Sequence, residues 1–289
     1  MDAARHACYG QRSYGYEPSI DMPSNPMKTL IFTAVFWFST ALSHAQDPGL
    51  AVEKVAGGFG FVEGPAWDPI HKHLLFSDIR NDRIVKLAKG DVVSTHLQGS
   101  GKSNGLVFDR EGNLYACLGG ARQVVKISAN GERRGLAATF AGKRLNSPND
   151  LALDGVGGVY FTDPRYGKAD DLEQEVMAVY YIHADRRVTR VVDDLQRPNG
   201  ILVSRDGGGL YVAEPDKGEI HFYPILSPGL VGKGRVLFRS NREVDGRGPD
   251  GMAIDADGLI YATYRNVLVL SAKGKLQRRI AVPEVPANC

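Results

Sequence analysis

Cysteine is scarce: three residues in 289, at Cys8, Cys117 and Cys289. None falls in a C-x-x-C pair, which excludes zinc-thiolate and thioredoxin-type chemistry. A Cys117–Cys289 disulfide is open only in an oxidising compartment, and buried free thiols are the simpler expectation. Excess charge is also missing. Lys and Arg number 35 against 33 Asp and Glu, a net +2, which gives no basic surface for nucleic acid or anionic lipid. No amphipathic stretch exceeds two helical turns, so helix should be scarce. Long apolar runs are absent apart from one of 13 residues, Leu30 to Leu42. That run is too short for a membrane span.

The same run fits a different use. It follows Met27 and Lys28 and leads to Ser43-His44-Ala45, a small-x-small site with cleavage expected after Ala45. Residues 27–45 therefore read as a secretory signal peptide. An uncleaved N-terminal anchor is the other use of such a run. Residues 1–26 carry no periodicity and read as a start-site artefact or a disordered extension, with Met27 as the true start. Residues 46–289 form the domain, exported to the periplasm or secreted. No stable membrane association is expected after cleavage, and the domain is expected to be a monomer.

What the chain has in abundance is glycine, 34 residues, and a phrase that returns. Glu63-Gly64-Pro65, Asn104-Gly105, Pro148-Asn149-Asp150, Pro198-Asn199-Gly200 and Pro249-Asp250-Gly251 each open a strand, an Asp/Gly turn and a second strand. The opening residues Glu63, Asn104, Asn149, Asn199 and Asp250 are 41, 45, 50 and 51 residues apart. Alternating apolar residues around such turns are a hairpin signal. A period of 40–50 residues with about four strands per unit is the signature of an all-β propeller. Val52 to Val62 reads as a first outer strand. A sixth opening residue falls at Asn288 in Ala287-Asn288-Cys289, so the last blade is expected to be incomplete.

All five opening residues carry a side-chain oxygen. In a propeller, the residue that opens each innermost strand sits at one mouth of the central channel. Glu63, Asn149, Asn199 and Asp250, with Asn104 nearby, then form a ring that suits a hard divalent cation. Such an ion can polarise a carbonyl or phosphoryl oxygen and activate water, and a carboxylate beside it can take the proton. Asn-Gly, Asp-Gly and Pro-Asn are also ordinary turn formers. It is their shared phase in the repeat that favours function.

Other patterns are weaker. Gly99-Ser100-Gly101-Lys102-Ser103 imitates the end of a P-loop, and Gly101 to Gly105 a nucleophile elbow. Both need a following helix, whereas LVF reads as strand. Asp109, Asp154, Asp206, Asp255 and Asp257 read as turn residues, His71 and His73 as surface, and Trp67 as core.

The motifs Glu63-Gly64-Pro65-Ala66-Trp67, Asn146-Ser147-Pro148-Asn149-Asp150, Arg197-Pro198-Asn199-Gly200 and Pro249-Asp250-Gly251-Met252 resemble those of the regucalcin (senescence marker protein), gluconolactonase and luciferin-regenerating enzyme family. The resemblance runs from about Val52 to Cys289. It implies a six-bladed propeller with one divalent cation in the channel, Ca²⁺ first, with Zn²⁺, Mg²⁺ or Mn²⁺ as alternatives. It implies a small-molecule lactone or ester as substrate. By motif, Glu63, Asn199 and Asp250 match metal ligands, Asn149 a residue touching substrate or the bound water, and Asp250 also the general base. Asn104 falls in a more variable blade and is carried as a substrate contact. Asn288-Cys289 resembles the opening of the final blade. Ser147 departs from the Arg of animal relatives. Thr162-Asp163-Pro164-Arg165-Tyr166-Gly167 resembles the bacterial branch and places Arg165 and Tyr166 at the mouth of the pocket. A non-catalytic, metal-stabilised binding platform and an aryl-ester or phosphotriester hydrolase are the competing expectations.

Overall fold

Each hairpin turn carries an aspartate whose side chain bonds the backbone that follows. Asn113 N–H donates to Asp109 Oδ1 at 2.7 Å, Gly158 N–H to Asp154 Oδ1 at 2.8 Å, and Gly208 N–H to Asp206 Oδ1 at 3.0 Å. In the last hairpin Leu259 N–H donates to Asp255 Oδ1 at 2.8 Å. A short side chain that bonds backbone two to four residues on stabilises a tight reversal. These aspartates are turn residues, as the sequence predicts.

The computed structural model describes residues 51–289. The 1–26 extension, the 27–45 signal sequence and Cys8 lie outside the described residues. Five antiparallel meanders follow one another as the blades of a β-propeller. Blade I comprises Val62–Asp68, His73–Asp78, Arg83–Ala88 and Val92–Gln98. Blade II comprises Ser103–Phe108, Leu114–Leu118, Gln123–Ile127 and Arg133–Ala137. Blade III comprises Leu151–Leu153, Val159–Asp163, Ala178–Ile182 and Val188–Val192. Blade IV comprises Ile201–Val203, Gly209–Glu214, Glu219–Ser227 and Arg235–Arg239, and blade V Met252–Ile254, Ile260–Thr263, Val267–Leu270 and Leu276–Ile280. Among the described residues the one helix is the single turn Arg242–Asp245.

Successive blades pack face to face, and the period-2 alternation of each strand decides which core a residue joins. In blade III, Phe161, Tyr180 and Ile182 meet Cys117 and Val124 of blade II. Tyr160, Val179 and Tyr181 turn the other way, to Ile201, Leu210 and Val212 of blade IV. That two-sided burial is why AVYYI reads as an unbroken apolar run. Similar cores lie between blades I and II, around Leu75, Ile84 and Leu106, and between IV and V, around Tyr211, Ile260 and Leu268.

Blade I departs from expectation in two ways. Residues 51–59 have no regular structure, and the first strand begins at Val62. Phe59 instead caps blade I, edge to face on Phe76 with ring centroids 5.0 Å apart. Trp67 is 56% exposed, not core. Ala66 faces blade II, so alternation turns Trp67 to the opposite face.

Candidate functional site

The repeat places its opening residues by one recurring pair of contacts. First, the opening residue is tied to the second strand of its own blade. Asn149 N–H donates to Thr162 O at 2.9 Å, Asn199 N–H to Ala213 O at 2.9 Å, and Asp250 N–H to Thr263 O at 3.0 Å. Second, the residue after it reaches the next blade. Gly105 N–H donates to Asn149 O at 2.8 Å, Gly200 N–H to Asp250 O at 3.1 Å, and Gly251 N–H to Ala287 O at 2.8 Å. Glycine is required at this second position because the next blade's backbone occupies the place of a Cβ. At Gly64, with φ +52°, it would strike Asn104 O and Gly105 Cα, and at Gly200 it would strike Asp250 O.

One copy breaks this pattern. Asp150 stands where the others have glycine, and its side chain makes the interblade contact. Its Oδ2 accepts Ile201 N–H of blade IV at 3.2 Å and its Oδ1 accepts Leu151 N–H at 2.9 Å. Sequence reasoning passed over Asp150 as a site residue. The signal was its occupation of the glycine phase of the repeat.

The ring brings three carboxylates within electrostatic reach of one another. Glu63 is buried, and Asp150 and Asp250 are half-buried. Burial pushes Glu63 well above the usual carboxylate range, with repulsion from Asp250 and Asp150 adding to it. A hydrogen bond from Asn288 Nδ2 to Glu63 Oε2, 3.1 Å long, offsets part of this. Burial raises Asp250 to about 7, opposed by a hydrogen bond from Asn199 and reinforced by Asp150. Burial likewise raises Asp150 to about 7 against its two backbone donors. Among the described residues, no Lys, Arg or His forms an ion pair with any of the three. Carboxylates gathered this way without a basic partner lack a countercharge. Their oxygens, with the amides of Asn149 and Asn199, are the donors a hard divalent cation takes. The Asn149 amide has no side-chain partner among the described residues.

The second rank of the site is mixed. Tyr166 reaches the ring: its hydroxyl accepts Asn199 Nδ2–H at 2.8 Å, and Arg197 lies 4.8 Å over its ring. Arg197 is held by Asp216 at 2.6 Å. Arg165 does not join them. Its guanidinium is spent on Asn146 O, Lys168 O and an ion pair with Asp171. Asn104 contributes its carbonyl, which accepts Ser77 Oγ–H at 2.7 Å, and is itself half-buried. Ser103 opens a strand, so neither the P-loop nor the elbow reading survives.

The remaining candidates separate cleanly. Cys117 and Cys289 are free. Burial raises both thiols, Cys289 to about 12, so neither is a reactive thiolate. His71 is a surface residue bonded to Asp68 at 2.8 Å, whereas His73, expected at the surface, is largely covered.

Residues 61–289 match the family model described as the SMP-30/Gluconolactonase/LRE-like region. A gluconolactonase of Zymomonas mobilis is 32% identical over 251 residues, which cover 78% of this chain and 70% of that protein. The solved structure of a Xanthomonas campestris gluconolactonase superposes with a TM-score of 0.76 at 30% identity, covering 81% of this chain and 80% of that one. The calcium-binding protein regucalcin from Agrobacterium tumefaciens shares the fold, with a TM-score of 0.67 at 20% identity, over 81% and 79% of the two chains.

Proposed function

The chain belongs to the SMP-30/gluconolactonase/LRE-like family, and from that premise we propose that it is a lactone hydrolase whose site is the oxygen ring at the channel mouth. The observation that carries the reading is the convergence of Glu63, Asp150 and Asp250 with no basic partner among the described residues, beside amides from two further blades. The gluconolactonase relatives favour a small sugar lactone as substrate. A sixth position in the ring is supported by Asn288. It bonds Glu63, and a Cβ on Gly251 would strike its side chain. Export, read from residues 27–45, is part of the same proposal.

Glu63, Asn149, Asn199 and Asp250 would hold a divalent cation, Ca²⁺ first among candidates. Bound there, it would polarise the lactone carbonyl and acidify water. The protein's own groups do the rest. The Asp250 carboxylate takes a proton from the water that attacks the carbonyl carbon. As the ring C–O bond breaks, the same proton passes to the departing alkoxide, giving the open hydroxy acid. Asn199 orients Asp250 by its hydrogen bond, and Tyr166 in turn fixes the Asn199 amide. Asn149, with no side-chain partner, is free to contact substrate.

The test is hydrolysis of glucono-δ-lactone by the chain after chelation and after return of Ca²⁺, Zn²⁺, Mg²⁺ or Mn²⁺. Turnover restored by metal and absent in Glu63→Gln supports the proposal. Metal-independent turnover, or full turnover in Glu63→Gln, overturns it.

A further inference from the structure

Away from the channel, blade IV holds a second group of ligating side chains. Glu214 ends one strand and Glu219 begins the next, and the two are direct cross-strand partners. His221, two residues on, shares the face of Glu219. Among the described residues, Glu214, Glu219 and His221 form the one trio of His, Cys, Asp or Glu ligand atoms that all lie within 4.8 Å of one another. We propose that Glu214, Glu219 and His221 are a second divalent-metal site, for a borderline first-row ion such as Zn²⁺.

Three observations carry this inference, and none depends on the channel reading. The first is the cost of the arrangement without an ion. Glu214 and Glu219 are 0% and 3% exposed, and like charges placed directly opposite across a ladder repel. The second is how the oxygens divide. Each carboxylate commits Oε1 to an outer partner. Glu214 Oε1 accepts Gln196 N–H at 2.8 Å and Lys217 Nζ at 3.2 Å, and Glu219 Oε1 meets Arg239. Each turns Oε2 inward, and His221 Nε2 lies 3.0 Å from both. This matches the layout of metal sites, where the far side of each ligand is oriented by an outer hydrogen bond.

The third observation is an unmet need. Although Nε2 is close to both oxygens, no hydrogen bond forms there, and Glu214 Oε2 and His221 Nε2 are buried without a partner. One N–H could satisfy one oxygen at most, whereas one cation satisfies all three atoms. At metal–ligand distances of about 2.1 Å, His221 Nε2 and either inner oxygen, 3.0 Å apart, would subtend roughly 90° at a shared ion. The imidazole selects against Ca²⁺ and Mg²⁺ and for Zn²⁺ and its neighbours. Lys217 and Arg239 do not occupy the centre. Their side chains are 41% and 68% exposed and bind the outer oxygens.

The site would pin the strand that positions the channel, since Ala213 O, next to Glu214, anchors Asn199 N–H at 2.9 Å. A structural role for the ion follows.

The experiment is titration of the full chain with Zn²⁺, followed by bound-metal stoichiometry and by the imidazole ¹⁵N signals of its histidines. The His221 signal is assigned by its loss in His221→Gln. The expected result is a Zn²⁺-dependent shift of His221 Nε2, and one equivalent of Zn²⁺ that survives in Asp250→Asn but not in His221→Gln or Glu214→Gln. Zn²⁺ at a hundred times its Kd should raise Tm by roughly 5 °C in Asp250→Asn, and that rise should vanish when His221→Gln is added. An unshifted His221 resonance in the wild-type chain with millimolar Zn²⁺ overturns the proposal, whatever the variants do. So does stoichiometry unchanged by a folded His221→Gln.

Discussion

The channel mouth and one end of the middle strands of blade IV both gather acidic side chains, and they resolve the resulting repulsion differently. At the mouth, Glu63, Asp150 and Asp250 come from three different blades and face amides, with no ion-pair partner among the described residues. On blade IV, Glu214 and Glu219 come from adjacent strands, with Lys217 and Arg239 on their outer oxygens and an imidazole between the inner ones. The mouth offers oxygen donors, and two of its three carboxylates are only half-buried. The blade IV trio is tight and nearly closed, and it includes nitrogen. Ligand hardness and openness separate a site suited to turnover from one suited to holding strands.

The sharpest way to break this contrast is Asp250→Asn. Lactone hydrolysis should fall by about 10³-fold in kcat/KM if Asp250 moves the proton. Circular dichroism should stay native. Retention of half the activity would remove Asp250 from that role.

The next effect concerns pH. Glu63, Asp150 and Asp250 have folded-state pKa values above their unfolded ones, the latter two at about 7. Their protonated forms therefore favour the fold. This contribution is fully present below pH about 4 and is lost as pH rises through about 7. Urea midpoints of chelated protein should drop across that window, while Ca²⁺ or Asp150→Asn flattens the drop. A slope of the same size in Asp150→Asn and wild type, with and without Ca²⁺, would contradict the electrostatic account of the mouth.

Gly200→Ala should cost about 1–3 kcal/mol in denaturant unfolding, because its Cβ meets the Asp250 carbonyl. An unchanged midpoint would mean that the ring is looser than drawn. Tyr166→Phe removes the acceptor of the Asn199 amide. It should lower kcat/KM by about fivefold, since one hydrogen bond is worth about 1 kcal/mol. No change would make Tyr166 a bystander. His221→Gln should leave lactone turnover within about twofold while it lowers thermal stability in Zn²⁺. A large loss of turnover would erase the distinction between the two sites.

Much of this was legible before any coordinates. The repeat fixed the blades, because Asp/Gly turns and period-2 alternation act over a few residues. The phase of the repeat picked out Glu63, Asn149, Asn199 and Asp250, since equivalent positions of equivalent blades must face one axis. Trp67 was misjudged because its neighbouring face is decided by which blade packs there, not by its own hydrophobicity. Arg165 and Tyr166 are adjacent in sequence, yet Tyr166 reaches Asn199 and Arg165 is absorbed by loop carbonyls.

What the sequence determined by itself was the propeller and the candidate oxygens that recur at one phase of its repeat, because both follow from periodicity. What only the tertiary structure decided was the long-range pairing. It gave Asp150 the contact that a glycine backbone makes elsewhere, and it put Asn288 against Glu63. It also turned the inner oxygens of Glu214 and Glu219 onto one imidazole nitrogen. The physical reason is that direction and distance between side chains on different strands are set by register and packing, which no local pattern encodes.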